Sequence, residues 1–377
     1  WYLFFSEMWE RFCFYGMRGM LVIFMVNHLS MDEEVANLQY GATQAWVYAF
    51  TFIGGLFADK ILGLRKSLFW GGILMIIGSV ILAIDPKSLF FTGIGFTIVG
   101  TGFFKPNISS MVGQLYKDND PRRDAGFSFF YMGVNLGALI GGYICIAVAE
   151  GSLWQSIVPE HLRWNVGFGF AALVMVISLL TFTQTQKSLA SIGLTPLGHL
   201  EVSRKKLLEN LTYLGSILVI PIVIIMVGNT VYTDYFMYAI GPISILYLFY
   251  EMRNFSVVEN KKLLAALVFI LFSIVFWAFF DPCGGSFSLF AANNLNNQIA
   301  GVTLSPNGVN NSANSFFVIT FAALVGLVWL WMAKRKIEPN TIIKFGLAFL
   351  FLAGGFWIFY YTKFFADSIG KTSLGVF

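Results

Sequence analysis

The chain has 377 residues, of which 57% are hydrophobic and only 12% charged, against about a quarter charged in soluble domains. That balance excludes an ordinary water-soluble globular protein, and the net charge of +4 is spread over short connections rather than gathered into a basic face for nucleic acid. Cys13, Cys145 and Cys283 lie in apolar stretches and form no complete disulfide framework, while His28, His161 and His199 lack metal-ligand spacing, so neither a metal nor another cofactor is expected. No basic leader or small-residue cleavage site precedes the first apolar segment, and Trp1 reads as the start of a membrane helix.

In chain order, apolar runs between polar punctuation predict spans over 1–28, 40–58, 67–84, 89–113, 126–149, 165–183, 263–291, 315–333 and 341–366, with two further apolar helices near 207–229 and 234–252. Basic residues gather in alternate connections. Lys60, Arg65 and Lys66 follow the second span, Lys117, Arg122 and Arg123 the fourth, and Lys187, Arg204, Lys205 and Lys206 the sixth. Arg253, Lys261 and Lys262 precede the seventh, and Lys334, Arg335 and Lys336 follow the eighth. The intervening connections carry Asp32, Glu33 and Glu34, or the single bases Lys87 and Arg163, or no charge over 292–314. The positive-inside rule places the even-numbered connections and the amino terminus in the cytoplasm, provided the two extra helices form a hairpin that preserves parity. The expected plan is a six-helix bundle over 1–185, a connecting segment with two extra transmembrane helices over 186–260, and a partial carboxy-terminal bundle over 261–377. Six-span halves joined on the cytoplasmic side are the major facilitator arrangement. Three further spans would complete it, so the chain reads as a fragment of an all-α membrane protein.

The stretch "FFSEMWERFCFYGMRGM" (4–20) places Glu7, Glu10, Arg11 and Arg18 inside the first span. At about 100° per residue, with Glu7 at zero, Glu10 falls near −60°, Arg18 near +20° and Arg11 near +40°, all on one face. Facing lipid, at roughly 2.5–3.5 kcal/mol each, four charges would cost on the order of 10 kcal/mol, so the face must look into a bundle or a wet cavity. Glu7 and Arg11 are spaced to pair at i,i+4. Glu10 needs another partner, and Lys105, in the apolar "GTGFFKPNISS", is the candidate. Arg18 needs its own acid, and Asp281 is the only acidic residue within the seventh helix. Structural ion pairing explains any one of these charges. Two acids and three bases facing one cavity instead suit a substrate carboxylate, with acids whose protonation releases the bases.

"EMWERFCFYG" (7–16) resembles the E-x-x-E-R-F-x-x-Y-G signature of the proton-coupled oligopeptide transporter family, within the major facilitator superfamily. "GGLFADKILGLRKSLFWGG" (54–72) is similar to that family's version of the superfamily loop motif, and the stretch 100–142 resembles its fourth and fifth helices. The resemblance covers essentially the whole chain and implies proton-coupled import of dipeptides and tripeptides across the bacterial inner membrane by alternating access, with protons as the coupling ion. It implies that Arg11 and Lys105 hold the peptide carboxylate beside Tyr15 and Tyr48, that Asn135 and Asn314 contact the peptide backbone and its other end, and that Trp277 walls a side-chain pocket. It further implies Glu7, Glu10 and Asp281 as proton-linked acids, Arg18 with Asp281 as an outer gate, and Asp59 with Arg65 as an inner latch. Where members read F-E-Q in the seventh helix this chain has Phe280, Asp281 and Pro282, a shorter acid followed by a break, and the N-P that members show is Asn314-Ser315. The tenth-helix motif that would bind the peptide amine is not found.

Gly133, Gly137 and Gly141 repeat at i+4, a close-packing face in membranes. "GFGFAA" (167–172) mimics a dinucleotide fingerprint but lies within a membrane span with no preceding strand, and reads as packing. A carrier of nitrate or another small anion would use the same positive cavity. An intramembrane enzyme would need a nucleophile with its base, or a metal cluster, and neither constellation is present. A channel would need repeated rings of charge rather than these asymmetric pairs.

Overall fold

The structure, a computed structural model, describes residues 1–117, 120, 122–299, 301–367 and 370–375, with the backbone alone at residue 124. Residues 118, 119 and 121, inside the motif-bearing stretch 100–142, and residues 368, 369, 376 and 377 of the final stretch lie outside that set. Thirteen helices make up nearly all of the described fold: α1 Tyr2–Asn27, α2 Glu33–Phe57, α3 Leu64–Ile84, α4 Phe90–Gln114, α5 Arg122–Ala149, α6 Arg163–Thr185, α7 Val202–Leu218, α8 Ile220–Gly228, α9 Thr230–Glu251, α10 Val257–Phe280, α11 Ser286–Asn294, α12 Pro306–Lys334 and α13 Thr341–Tyr361. Short two-residue strands add a parallel pair, Leu295–Asn296 with Thr372–Ser373, and an antiparallel one, Gln298–Ile299 with Val302–Thr303.

The helices form where the apolar runs predict them, but several begin earlier. α2 starts at Glu33 rather than 40, with Glu33 and Glu34 in the first turn, where the amino-terminal end of the helix dipole favours acids. α10 starts at Val257 rather than 263 through a capping box, in which Ser256 and Glu259 satisfy each other's backbone N–H. α12 starts at Pro306 rather than 315, with Ser305 as its cap and proline in the first turn. Eight described stretches are long and apolar enough to cross a membrane. α1 is not among them, because its four charged groups spoil the composition, yet it lies at the centre of the first bundle with most of its length buried. The protein is a multi-pass membrane protein with the major facilitator fold.

The first six helices close on one another through glycine. A Cβ at Gly137 or Gly141 of α5 would overlap the backbone carbonyls of Met8 and Phe12 on α1, so these glycines let the helix carrying Glu7, Glu10 and Arg11 lie directly against α5. α3 and α4 interlock the same way, with an added Cβ at Gly71 falling 2.5 Å from the Gly100 carbonyl. Gly63, at φ +77°, ends the π-helical turn 58–62 and redirects the chain into α3. Gly141→Leu is expected to separate α1 from α5 and cost about 1–3 kcal/mol or more by overpacking a backbone contact, read as a marked fall in Tm of the detergent-purified protein. An unchanged Tm would show that this contact is dispensable.

The extra helices pack on the first bundle. Lys66 Nζ meets Glu209 Oε2 at 2.6 Å, Trp70 Nε1 donates to Ser216 Oγ at 2.8 Å, and Trp46 Nε1 donates to Thr233 Oγ1 at 3.0 Å. Ile220, Val223 and Val227 of α8 enter the core that α1, α2 and α4 build. Pro242 lies within an unbroken α9, whereas Asp281 and Pro282 split the seventh span into α10 and α11 across a tight turn.

α10 and α13 have no fully buried residue, and the buried positions of α12, from Asn307 to Ser315, all fall in its first third. That third packs against α5, while α11 and the 281–284 turn pack against α1. The close contacts between the first six helices and α10–α13 therefore gather at the end of the molecule where α1 finishes and α12 begins.

Candidate functional site

Three ionisable side chains sit almost fully buried within five residues of α1: Glu7, Glu10 and Arg11 are each no more than 3% exposed. Arg11 Nε donates to Glu10 Oε2 and also lies 3.1 Å from Glu7 Oε1, so one guanidinium serves both acids. The expected partner of Glu10 was Lys105. The structure corrects that pairing, because the long Arg11 side chain reaches the neighbouring residue and its five donors can serve more than one carboxylate. Glu7 Oε2, Glu10 Oε1 and Arg11 Nη2 are buried without a hydrogen-bond partner among the described residues, a costly state for charged groups.

Lys105 comes from α4, immediately before Pro106, whose missing N–H interrupts the helix ladder there. Its Nζ lies 4.7 Å from the centre of the Tyr48 ring and 6.0 Å from that of Phe14, and the Arg11 guanidinium sits 5.2 Å from the same Phe14 ring. The two cations thus flank one aromatic ring, an arrangement worth about 0.5–2 kcal/mol per contact. Among the described residues no carboxylate lies within ion-pair distance of Lys105. Its charge remains available to an incoming anion.

About two turns along α1, Arg18 donates to Tyr40 Oη at 2.6 Å and pairs with Asp281 at the α10 break, where it also reaches the Asp281 carbonyl at 3.3 Å. The pair bridges the first bundle and the helices that follow the insert. Tyr15 lies under the guanidinium, 5.8 Å from it, and packs edge-on against Phe14, linking the Arg18 and Arg11 groups. Tyr40, Tyr48, Trp277 and Asp281 share the wall of a cavity of about 400 Å³. Of these four the sequence names Tyr48, Trp277 and Asp281, and it misses Tyr40, an ordinary aromatic by pattern.

The two asparagines differ. Asn135 is buried on α5 and donates to its own helix at the Tyr131 carbonyl, 2.9 Å away. Asn314 is exposed on α12, beyond the buried Asn307 and Asn310 and the half-buried Asn311 at the start of that helix. Asn310 donates to the Cys283 carbonyl at 2.7 Å, Asn311 to Ser288 Oγ at 3.1 Å, and Asn307 to the Gly19 carbonyl at 3.2 Å. Sequence reading missed these three, although Asn307, Asn310, Asn311 and Asn314 recur at i, i+3, i+4 and i+7, one helical face.

Asp59 and Arg65 are not brought together. Asp59 is exposed beside Lys60 and Asn107 in a cleft of about 330 Å³. Arg65 donates from Nε to the Ile192 carbonyl at 2.6 Å and from Nη2 to the Ala190 carbonyl at 2.7 Å, which ties it to the chain leaving α6.

The membrane fold and the charged seam where α1 meets α4 and α10 are features of a secondary transporter built on the major facilitator plan. A sequence profile of the POT family matches residues 65–374. A peptide transporter of Yersinia enterocolitica, YePEPT, is 32% identical over 380 residues, covering 95% of this chain and 72% of that protein. Dipeptide and tripeptide permease B of Aeromonas hydrophila is 28% identical over 381 residues, covering 98% of this chain and 72% of that protein. The crystal structure of a peptide transporter variant in complex with alafosfalin superposes with a TM-score of 0.81 at 30% identity, covering 100% of this chain and 76% of that one. The chain belongs to the POT family.

Proposed function

We propose that the protein is a proton-coupled symporter that carries dipeptides and tripeptides inward across the bacterial inner membrane by alternating access. The observation that carries the reading is the unequal pairing of the charged seam: Glu7 and Glu10 share the single Arg11 guanidinium, while Lys105 faces the same Phe14 ring and, among the described residues, makes no ion pair. A peptide carboxylate would complete that set, drawing on Lys105 and on Arg11 once a proton on Glu10 or Glu7 releases it. Tyr15 and Tyr48 would donate hydrogen bonds beside it, Trp277 would wall the side-chain pocket, and Asn135 and Asn314 would contact the peptide backbone. Proton loss would then re-form the Arg11 pairs and expel the cargo. The names of the relatives, peptide transporter and dipeptide and tripeptide permease, agree with this substrate class.

The asymmetry of basic connections supports a cytoplasmic amino terminus. The end where α1 meets the α10 break would then face outward, and the contacts gathered there would make this conformation inward-facing, with Arg18 and Asp281 as the outer gate. Asp59 and Arg65, apart here, would close the inner side in the opposite conformation. The unpaired Lys105 also suits a small inorganic anion, and binding separates the two. Dialanine is expected to quench intrinsic tryptophan fluorescence of the full-length protein and to be displaced by trialanine but not by millimolar nitrate. Displacement by nitrate alone would transfer the site to anions.

The gate makes its own prediction. Asp281→Ala strands a largely buried Arg18, a loss of about 3–5 kcal/mol, and uptake should fall by tenfold or more. Exchanging the charges with Arg18→Asp and Asp281→Arg should restore part of it. Failure of the exchange together with wild-type activity of the single variant would remove the pair from the mechanism.

A further inference from the structure

Glu150 closes α5, outside the charged seam and without a role so far. Its Oε2 accepts from Ser305 Oγ at 2.6 Å and its Oε1 from Asn307 Nδ2 at 3.0 Å. Both donors belong to the start of α12, beyond the insert, so the contact crosses from one half of the molecule to the other over 155 residues of chain. Ser305 is at the same time the cap of α12, its Oγ accepting from the Gly308 N–H at 2.9 Å. Asn307 also donates to the Gly19 carbonyl at 3.2 Å, one residue past Arg18. The carboxylate thus sits at the positive end of the α12 dipole, tied by two neutral donors and, among the described residues, by no cation. Arg163 of α6 packs its guanidinium against Gly151 next door, and its Nε has no hydrogen-bond partner among the described residues. Partial burial pushes the Glu150 carboxyl above its ordinary range, while Ser305 and Asn307 pull it down.

We propose that Glu150 is a second outer latch, a positioning residue that holds α5 to the cap of α12 when the outer side is closed and must let go for that side to open. A hydrogen bond to a charged acceptor is stronger than a neutral one, so two of them on a single carboxylate form a contact that is either made or broken. When α12 swings away, Ser305 keeps its cap bond and Glu150 is left on α5 beside Arg163, which can take over the carboxylate. The latch is separate from Arg18 and Asp281 in residues and in chemistry, and Asn307 couples the two by reaching Gly19. The inference rests on the alternating-access reading but not on the identity of the cargo.

The test is a distance measurement on the full-length protein without substrate. Spin labels are placed at Trp154→Cys and Val302→Cys, both exposed in the connections that flank the latch, in a Cys283→Ala background. Glu150→Ala should raise the widely separated population at least threefold, and Glu150→Gln, which keeps an acceptor, should lie between it and the parent. Ser305→Ala, which removes one of the two bonds, should act in the same direction to a smaller extent, and the double variant should not exceed Glu150→Ala, because the Ser305 bond is already lost there. If Glu150→Ala does not fold, Ser305→Ala alone carries the test. An unchanged distance distribution, or shifts from the two substitutions that simply add, would overturn the proposal. Failure of peptide binding with an intact latch response would instead count against the substrate assignment.

Discussion

Glu10→Gln is expected to abolish proton-driven accumulation while leaving exchange intact. In the native chain Glu10 Oε2 accepts from Arg11 Nε, and Glu10 Oε1 is buried without a hydrogen-bond partner among the described residues, so the carboxylate can neutralise Arg11 or carry a proton but cannot do both. Glutamine fixes the neutral state permanently. Arg11 then keeps Glu7 as its one charged partner among the described residues and has donors to share with a peptide carboxylate, so binding and peptide-for-peptide exchange survive, but the step that expels cargo on proton loss is gone. One pH unit is worth about 1.4 kcal/mol per coupled proton, or about tenfold accumulation. The variant should therefore fall from roughly tenfold accumulation per pH unit and coupled proton to none. Counterflow of preloaded dialanine separates this from misfolding. Full accumulation by Glu10→Gln would move the coupling to Glu7 or elsewhere, and Glu7→Gln is the companion measurement.

Lys105→Ala should weaken peptide binding with little effect on folding. Most buried charges leave an orphaned partner when their mate is removed, and the loss then mixes binding with stability. Lys105 touches the Tyr48 and Phe14 rings and makes no direct ion pair among the described residues, so its removal breaks no close pair. A hydrogen bond to a charged group is worth about 1.5–3 kcal/mol, so affinity should drop by about 10- to 150-fold. Lys105→Arg is not expected to rescue it, because the planar fork needs more room beside the Tyr48 ring than a point charge does. Arg11→Ala, by contrast, strands two buried acids and should lower Tm as well as affinity. Unchanged affinity in Lys105→Ala, or a Tm loss as large as that of Arg11→Ala, would contradict the reading of Lys105 as a cation kept for substrate.

Much of this site was legible because charge in an apolar segment has few permitted uses. The i,i+4 spacing announced the Glu7 and Arg11 pair, and the lone acid of the seventh helix announced Asp281 as the mate of Arg18. Glycine spacing on α5 announced the face that meets α1. What the pattern misled on was Glu10, because adjacent helical residues do not ordinarily face each other, and only the three-dimensional path of the Arg11 side chain brings them together. The asparagine face of α12 was hidden for a different reason. Its polar first third reads as a connection under any hydropathy rule, although Ser305 and Pro306 signal a helix start. Glu150 was invisible in principle, since its partners lie 155 and 157 residues away and no local spacing encodes that meeting. Placement of the insert on the first bundle likewise depends on Trp46, Trp70 and Lys66 finding Thr233, Ser216 and Glu209.

Uptake of radiolabelled dialanine by the full-length protein in liposomes, with and without an inward proton gradient and with unlabelled trialanine or nitrate as competitor, tests coupled peptide import most directly. The account predicts accumulation above the external concentration only when the gradient is present, blocked by trialanine and indifferent to nitrate. Equal uptake with and without the gradient, or nitrate as the only effective competitor, by protein shown to be folded and correctly inserted, would contradict it.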